Sequence, residues 1–270
     1  MSECSHDCSN CESNCESRIE KIETNPRNKI KHVIGIVSGK GGVGKSYVTS
    51  LLASHLTKLG FKCGILDGDI TGPSIPKAFN IHQRASGDGE SLIFPAITKS
   101  GIKVISSNML LENEEDPIIW RGSLINSLLT QFYKDVLWDE LDYLFIDMPP
   151  GTGDVTLTVF QSLPIEGIII VTSPQDLVSL IVKKAINMAK LMNVSILGII
   201  ENMSYLLCED CGKKIELYGE SKIDQIGKDY QLEVLAKLPI VPSNAKLIDE
   251  GKIEEIEEEE IKKAIVKLTK

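Results

Sequence analysis

Eight consecutive residues, Gly39-Lys40-Gly41-Gly42-Val43-Gly44-Lys45-Ser46, constrain this chain more than any others. They contain the pattern G-x-x-x-x-G-K-[ST]. They stand between an apolar run, His32–Ser38, and a helical recurrence of Val48, Leu51, Leu52, His55, Leu56 and Leu59 that Gly60 closes. A strand that turns through glycines into a helix makes a nest of backbone N–H groups with the positive end of the helix behind it. The context predicts a site for nucleotide phosphates. Gly39, Gly41, Gly42, Val43 and Gly44 supply the cradle, Lys45 reaches the β- and γ-phosphates, and the Ser46 hydroxyl binds Mg²⁺. Lys40 adds a second cation to the loop. It reads either as a solvated charge or as a group reaching the nucleotide of a second subunit, which requires a dimer with its nucleotides face to face.

The same alternation of apolar runs and helical patterns continues down the chain. Strands are predicted at His32–Ser38, Lys62–Asp67, Lys103–Ser106, Tyr143–Asp147, Gly167–Thr172, Ser195–Glu201 and Glu233–Leu238, with helices at Leu124–Leu137 and Leu177–Met192. That order implies an α/β fold with a mostly parallel central sheet and helices on both faces. Residues 1–31 are polar and are expected to be a flexible, cysteine-containing tail. No Pro/Gly/Ser-rich linker divides residues 32–270, so one ATPase-sized domain is expected there. Near the C-terminus six Glu fall within residues 254–260, yet Ile253, Ile256, Ile261, Ala264, Ile265 and Leu268 keep a helical period. A docked surface helix is expected, with Glu258–Lys262 and Glu259–Lys263 as i,i+4 pairs.

Composition narrows the function. The chain of 270 residues carries 29 Lys and Arg against 38 Asp and Glu, a net charge of −9, which disfavours a general nucleic-acid binder. No apolar run approaches the roughly 18–20 residues that span a bilayer. The polar start, MSECSHDCSNCES, has no signal-peptide character, and a cytoplasmic protein without membrane partners is expected.

Acidic residues at strand ends are the next candidates. Asp67 and Asp69 close the second strand in LDGDITGPS, and Asp147 closes another in DYLFIDMPPGTGD. Ligands of open α/β sheets bind at these ends. Asp147 is therefore expected in the Mg²⁺ shell, and Asp67 or Asp69 beside the attacking water. The seven cysteines are grouped: Cys4, Cys8, Cys11 and Cys15 at the start, Cys208 and Cys211 as a C-x-x-C pair, and Cys63 alone in a strand. Clustered thiols in a reducing compartment point to metal rather than disulfides. A tetrahedral zinc or an iron–sulfur cluster takes four ligands, so one C-x-x-C pair is half a site that a two-fold axis would complete. The N-terminal four have a spacing able to wrap a cluster or a zinc ion, with His6 as an alternative ligand. Cys63 reads as an inert buried thiol.

GKGGVGKS, DGDITGPS, DMPPGTGD, SPQD and ENMSYLLCEDC, in this order, resemble the Mrp/ApbC iron–sulfur cluster carriers of the MinD-like, deviant Walker A branch of P-loop ATPases. The resemblance runs from about Lys31 to the C-terminus. It implies an ATPase that carries a cluster to apo-proteins. By resemblance Lys40 contacts the partner's nucleotide across a homodimer, Asp67–Asp69 and Asp147–Asp154 are the two switch segments, and Asn202 recognises adenine. Cys208 and Cys211 would hold a [4Fe–4S] cluster bridging the subunits. Tyr47, Thr71 and Ser123 depart from the family's usual residues. A MinD- or ParA-like positioning ATPase and a zinc-stabilised nucleotide-binding interaction protein are the competing readings.

Overall fold

The computed structural model describes residues 21–69, 72, 74–89, 92–111, 122–151, 153–175, 178–208 and 210–270. Strand β1 (Lys29–Ser38) leads into α1 (Lys45–Lys58) and β2 (Cys63–Asp67). There follow α2 (Ile75–Ala78), the two-residue strands β3 (Ser86–Gly87), β4 (Ile93–Phe94) and β5 (Ala96–Ile97), then β6 (Lys103–Ser106) and α3 (Gly122–Asp135). The chain continues through β7 (Glu140–Asp147), α4 (Asp154–Ser162), β8 (Gly167–Thr172), α5 (Val178–Leu191) and β9 (Ser195–Glu201). A hairpin of β10 (Leu206–Leu207) and β11 (Lys214–Ile215) precedes α6 (Ile223–Tyr230), β12 (Val234–Lys237), α7 (Pro242–Asp249) and α8 (Lys262–Leu268).

The main sheet has the order β12-β9-β8-β1-β7-β2-β6-β5, and every neighbouring pair is parallel except β5 with β6. All residues of β2 and β8 are buried, so helices cover both faces of the sheet, as near-continuous apolar strands require. Connections from β1 run one way, to β2 and β6. Those from β7 run the other way, to β8, β9 and β12. The crevice at the C-terminal ends of the central strands is thus where a ligand site belongs.

The predicted strands Lys103–Ser106, Gly167–Thr172 and Ser195–Glu201 have the observed bounds. Strand β1 starts three residues before His32, because the stretch ahead of it is already laid on the domain. The Ile22 N–H donates to the Ser162 carbonyl, Thr24 Oγ1 to the Tyr133 carbonyl and Asn28 Nδ2 to the Val136 carbonyl. Leu59, expected on the inner face of α1, caps that helix with its side chain exposed, and Gly60 takes the turn at φ +93°.

The C-terminal segment docks, though not as a single helix. Ile253, Ile256, Ile261, Ala264 and Ile265 are buried as expected, but through two 3₁₀ turns, Ile253–Glu255 and Glu259–Ile261, ahead of α8. The anticipated i,i+4 pairs do not form. Lys262 pairs with Glu259, while Lys263 and Lys267 both reach Glu233. The acidic run is pinned to α1 instead: Lys58 donates to the Ile256 carbonyl and to Glu257, and the Glu258 N–H donates to His55 Nε2. Burial pushes the His55 pKa down, which keeps that nitrogen an acceptor.

Candidate nucleotide and thiol sites

Parallel register sets the geometry of the phosphate site. Ile36, Asp147, Asp67 and Ser106 are partners across β1, β7, β2 and β6, so the two aspartates sit on adjacent strands at the same level. Asp147 is fully buried and receives hydrogen bonds on both oxygens. Oδ2 accepts from Lys45 Nζ (2.7 Å) and Ser46 Oγ (2.6 Å), and Oδ1 accepts from Thr49 Oγ1 (2.7 Å). Lys45 also lies 3.6 Å from Asp69 Oδ2. A serine hydroxyl and a carboxylate meeting at one point are the hard oxygen donors that Mg²⁺ prefers, so the residues fit that ion.

Asp67 is buried beneath this group. Its Oδ1 accepts from the Asp69 N–H and its Oδ2 from Ser106 Oγ. Burial first, and the Asp147 charge second, push its pKa up to about 8. Asp69 instead lines the cavity beside the loop. That cavity, of about 280 Å³, is lined by Gly41, Gly42, Gly44, Lys45 and Ser46 of the loop and by Ile248 and Ile253 of the C-terminal segment. Tyr47 also lines it, and its hydroxyl accepts from Asn244 Nδ2 at 3.1 Å, which ties α1 to α7. Thr71 and the side chain of Ser123 lie outside the described residues.

The loop itself is propped from below. Gly44 takes φ +81°, and a Cβ there would lie 2.1 Å from Asn202 Nδ2. That amide donates to the Val43 carbonyl at 3.0 Å, and the Asn202 backbone N–H to the Thr172 carbonyl. Asn202, expected at adenine, is thus buried against the phosphate loop. Lys40 Nζ donates to Gln175 Oε1 of its own chain, and Gly39 is half-buried at the loop's start.

Cys208 and Cys211 sit at the tip of the β10–β11 hairpin, where the Cys208 N–H donates to the Lys213 carbonyl and the Gly212 N–H to the Cys208 carbonyl. Cys211 is exposed, Cys208 half-buried, and neither forms a disulfide. Among the described residues no group of three or more His, Cys, Asp or Glu could hold a metal ion. Among the described residues the pair therefore offers two ligands of a larger set. Leu207, Ile215, Leu217 and Tyr218 expose apolar surface around it. Burial pushes the Cys63 thiol up to about 12, in keeping with an inert core thiol. Cys4, Cys8, Cys11 and Cys15 lie outside the described residues.

Three functional contacts escape the sequence reading. Thr49 on Asp147 was signalled only by its place one turn beyond Lys45 on α1. Ser106 on Asp67 needs the strand register, and Gln175 on Lys40 has no local signal.

Comparison with known proteins agrees with this geometry. A family model described as NUBPL iron-transfer P-loop NTPase, under the heading ParA, matches residues 29–270. The chain is 49% identical over 242 residues to an iron–sulfur cluster carrier protein of Clostridium perfringens, covering 87% of this chain and 84% of that one. It is 47% identical over 232 residues to one of Methanocaldococcus jannaschii, covering 86% and 80%. Among solved structures, a nucleotide-binding protein of Archaeoglobus fulgidus in complex with ADP matches with a TM-score of 0.76 at 43% identity, covering 84% of this chain and 89% of that one. The cell-division ATPase MinD of Pyrococcus furiosus shares the fold with a TM-score of 0.62 at 21% identity, covering 88% and 96%. Among the described residues no helix is long and apolar enough to cross a membrane.

Proposed function

This chain belongs to the family of NUBPL iron-transfer P-loop NTPases, and from that premise we propose that it is an ATP-dependent carrier that binds an iron–sulfur cluster and hands it to apo-proteins. The observation that carries this reading is the pairing, on one chain, of a phosphate loop furnished with Lys45, Ser46 and Asp147 and an exposed hairpin that presents two thiols. A positioning ATPase has no use for such a hairpin.

In this reading Lys45 leaves Asp147 for the β- and γ-phosphates when ATP binds. Ser46 and Asp147 would hold the Mg²⁺ ion, which would supply charge neutralisation for those phosphates. Asp69, facing the cavity, orients the attacking water, while Asp67 stays beneath as a support. Hydrolysis in this reading is slow. The cluster is cargo, of the [4Fe–4S] type, held by Cys208 and Cys211 from each of two copies in a homodimer. Lys40 exchanges Gln175 for the partner's nucleotide in that dimer, and Asn202 would have to leave the Val43 carbonyl to recognise adenine. The recipients are apo iron–sulfur proteins of the cytoplasm.

Anaerobic purification followed by metal and sulfide analysis tests the reading. Iron with sulfide is expected, lost in Cys211→Ser, and Lys45→Ala is expected to load normally but to transfer its cluster to an apo-protein more slowly. Zinc alone, or transfer that ignores Lys45, contradicts it.

A further inference from the structure

Residues 210–220 are exposed from end to end, where described, so the thiol hairpin has no core of its own and depends on a few anchors. One of them is Glu201, the last residue of β9. Its carboxylate is 1% exposed and has no cationic partner among the described residues. Burying such a group is expensive unless its oxygens are satisfied. Both are: Oε2 accepts from Ser204 Oγ at 2.6 Å and Oε1 from Ser221 Oγ at 2.7 Å. Ser204 precedes β10 and Ser221 follows β11, so one carboxylate grips both ends of the segment that carries Cys208 and Cys211. Ser221 Oγ also accepts the Ile223 N–H, at the start of α6.

The residue after Glu201 is Asn202, whose amide supports the Val43 carbonyl and fills the space under Gly44. Any shift of the phosphate loop therefore presses on Asn202, and the adjacent peptide carries the clamp on the hairpin. The contacts run from the loop through Asn202 and Glu201 to Ser204 and Ser221, the two residues between which the backbone carries the thiols. A cavity of about 920 Å³, lined in part by Ser204, Tyr205, Lys214 and Ser221, lies against the hairpin's base and leaves it room to move.

Resting on the carrier reading, we propose that Glu201 is a positioning residue that makes the placement of Cys208 and Cys211 follow the nucleotide state. It touches neither nucleotide nor cluster; it acts through the two serines. Removing either hydroxyl then uncouples the hairpin while the phosphate loop keeps its own residues.

The test uses the full-length, cluster-free chain under anaerobic conditions. Alkylation of Cys208 and Cys211 by N-ethylmaleimide is followed by peptide mass spectrometry, with and without Mg-ATP, with buried Cys63 as the internal control. In the wild type ATP is expected to change the alkylation rate of this pair several-fold. Glu201→Gln and Ser221→Ala are expected to bind ATP with unchanged affinity and to show equal rates with and without it, and Ser221→Thr, which keeps the hydroxyl, to restore the response. Ser221→Ala, at a half-buried surface position, supplies the result should Glu201→Gln fail to fold. Variants that bind ATP and keep the wild-type response overturn the role of Glu201 alone. Equal rates in the wild type overturn the coupled carrier reading together with it.

Discussion

At Gly44 two requirements meet, a φ of +81° and empty space where a Cβ would strike Asn202. An alanine there carries about 1–2 kcal/mol of backbone strain and also displaces Asn202 from beneath the loop. Gly44→Ala is therefore expected to weaken ATP binding by roughly tenfold or more, read by titration with a fluorescent nucleotide. Asp67 makes a different prediction. Its pKa rises from an ordinary 3.8 to about 8 in the folded, nucleotide-free protein. Between these values the native state keeps a proton that the unfolded chain has released. The group's contribution to stability is thus complete below 3.8 and drains away as pH rises through 8. Ser106, whose hydroxyl can donate or accept, serves either state of Asp67. Melting temperatures of nucleotide-free protein are expected to fall more steeply between pH 5 and 8 in the wild type than in Asp67→Asn; parallel slopes would refute this. The loop residues were legible in the sequence because a glycine pattern maps onto backbone geometry. Thr49, Ser106 and Glu201 were not, because a polar side chain gains its meaning only from what register and packing bring beside it.

Among the elements, the C-terminal segment shows how a pattern can be right about burial and wrong about form. Its isoleucines fall on the core side, but the Glu-rich stretch is anchored by Lys58 and His55 of α1, and those tethers favour short turns over a continuous helix. Ile261 is fully buried away from the nucleotide cavity, whereas Ile253 lines that cavity. Ile261→Ala is expected to lower stability by about 2–5 kcal/mol in denaturant titrations without changing ATP affinity. Ile253→Ala is expected to lower both. Equal effects of the two variants on ATP affinity would contradict this division. The central strands were readable because burial on both faces leaves uninterrupted apolar runs, as in Gly167–Thr172. The two-residue strands β3, β4, β5, β10 and β11 were not, being too short for any period to show.

In the whole molecule the sheet holds two sites of unequal completeness. The phosphate loop finds its support within one chain, from Asp147, Thr49 and Asn202. The thiol hairpin brings Cys208 and Cys211, and among the described residues no third ligand joins them; Leu207, Ile215, Leu217 and Tyr218 of the same segment are exposed. Cluster chemistry asks for four ligands, so in the proposed carrier a second copy would supply the other two and cover that apolar surface. The sequence could suggest this half-site from its spacing, while the exposure of the hairpin is visible only in the fold. Native mass spectrometry of the anaerobically reconstituted protein tests this most directly. One [4Fe–4S] cluster per two chains is expected, with the dimer lost in Cys208→Ser. A cluster-loaded monomer that keeps its iron and sulfide would contradict it.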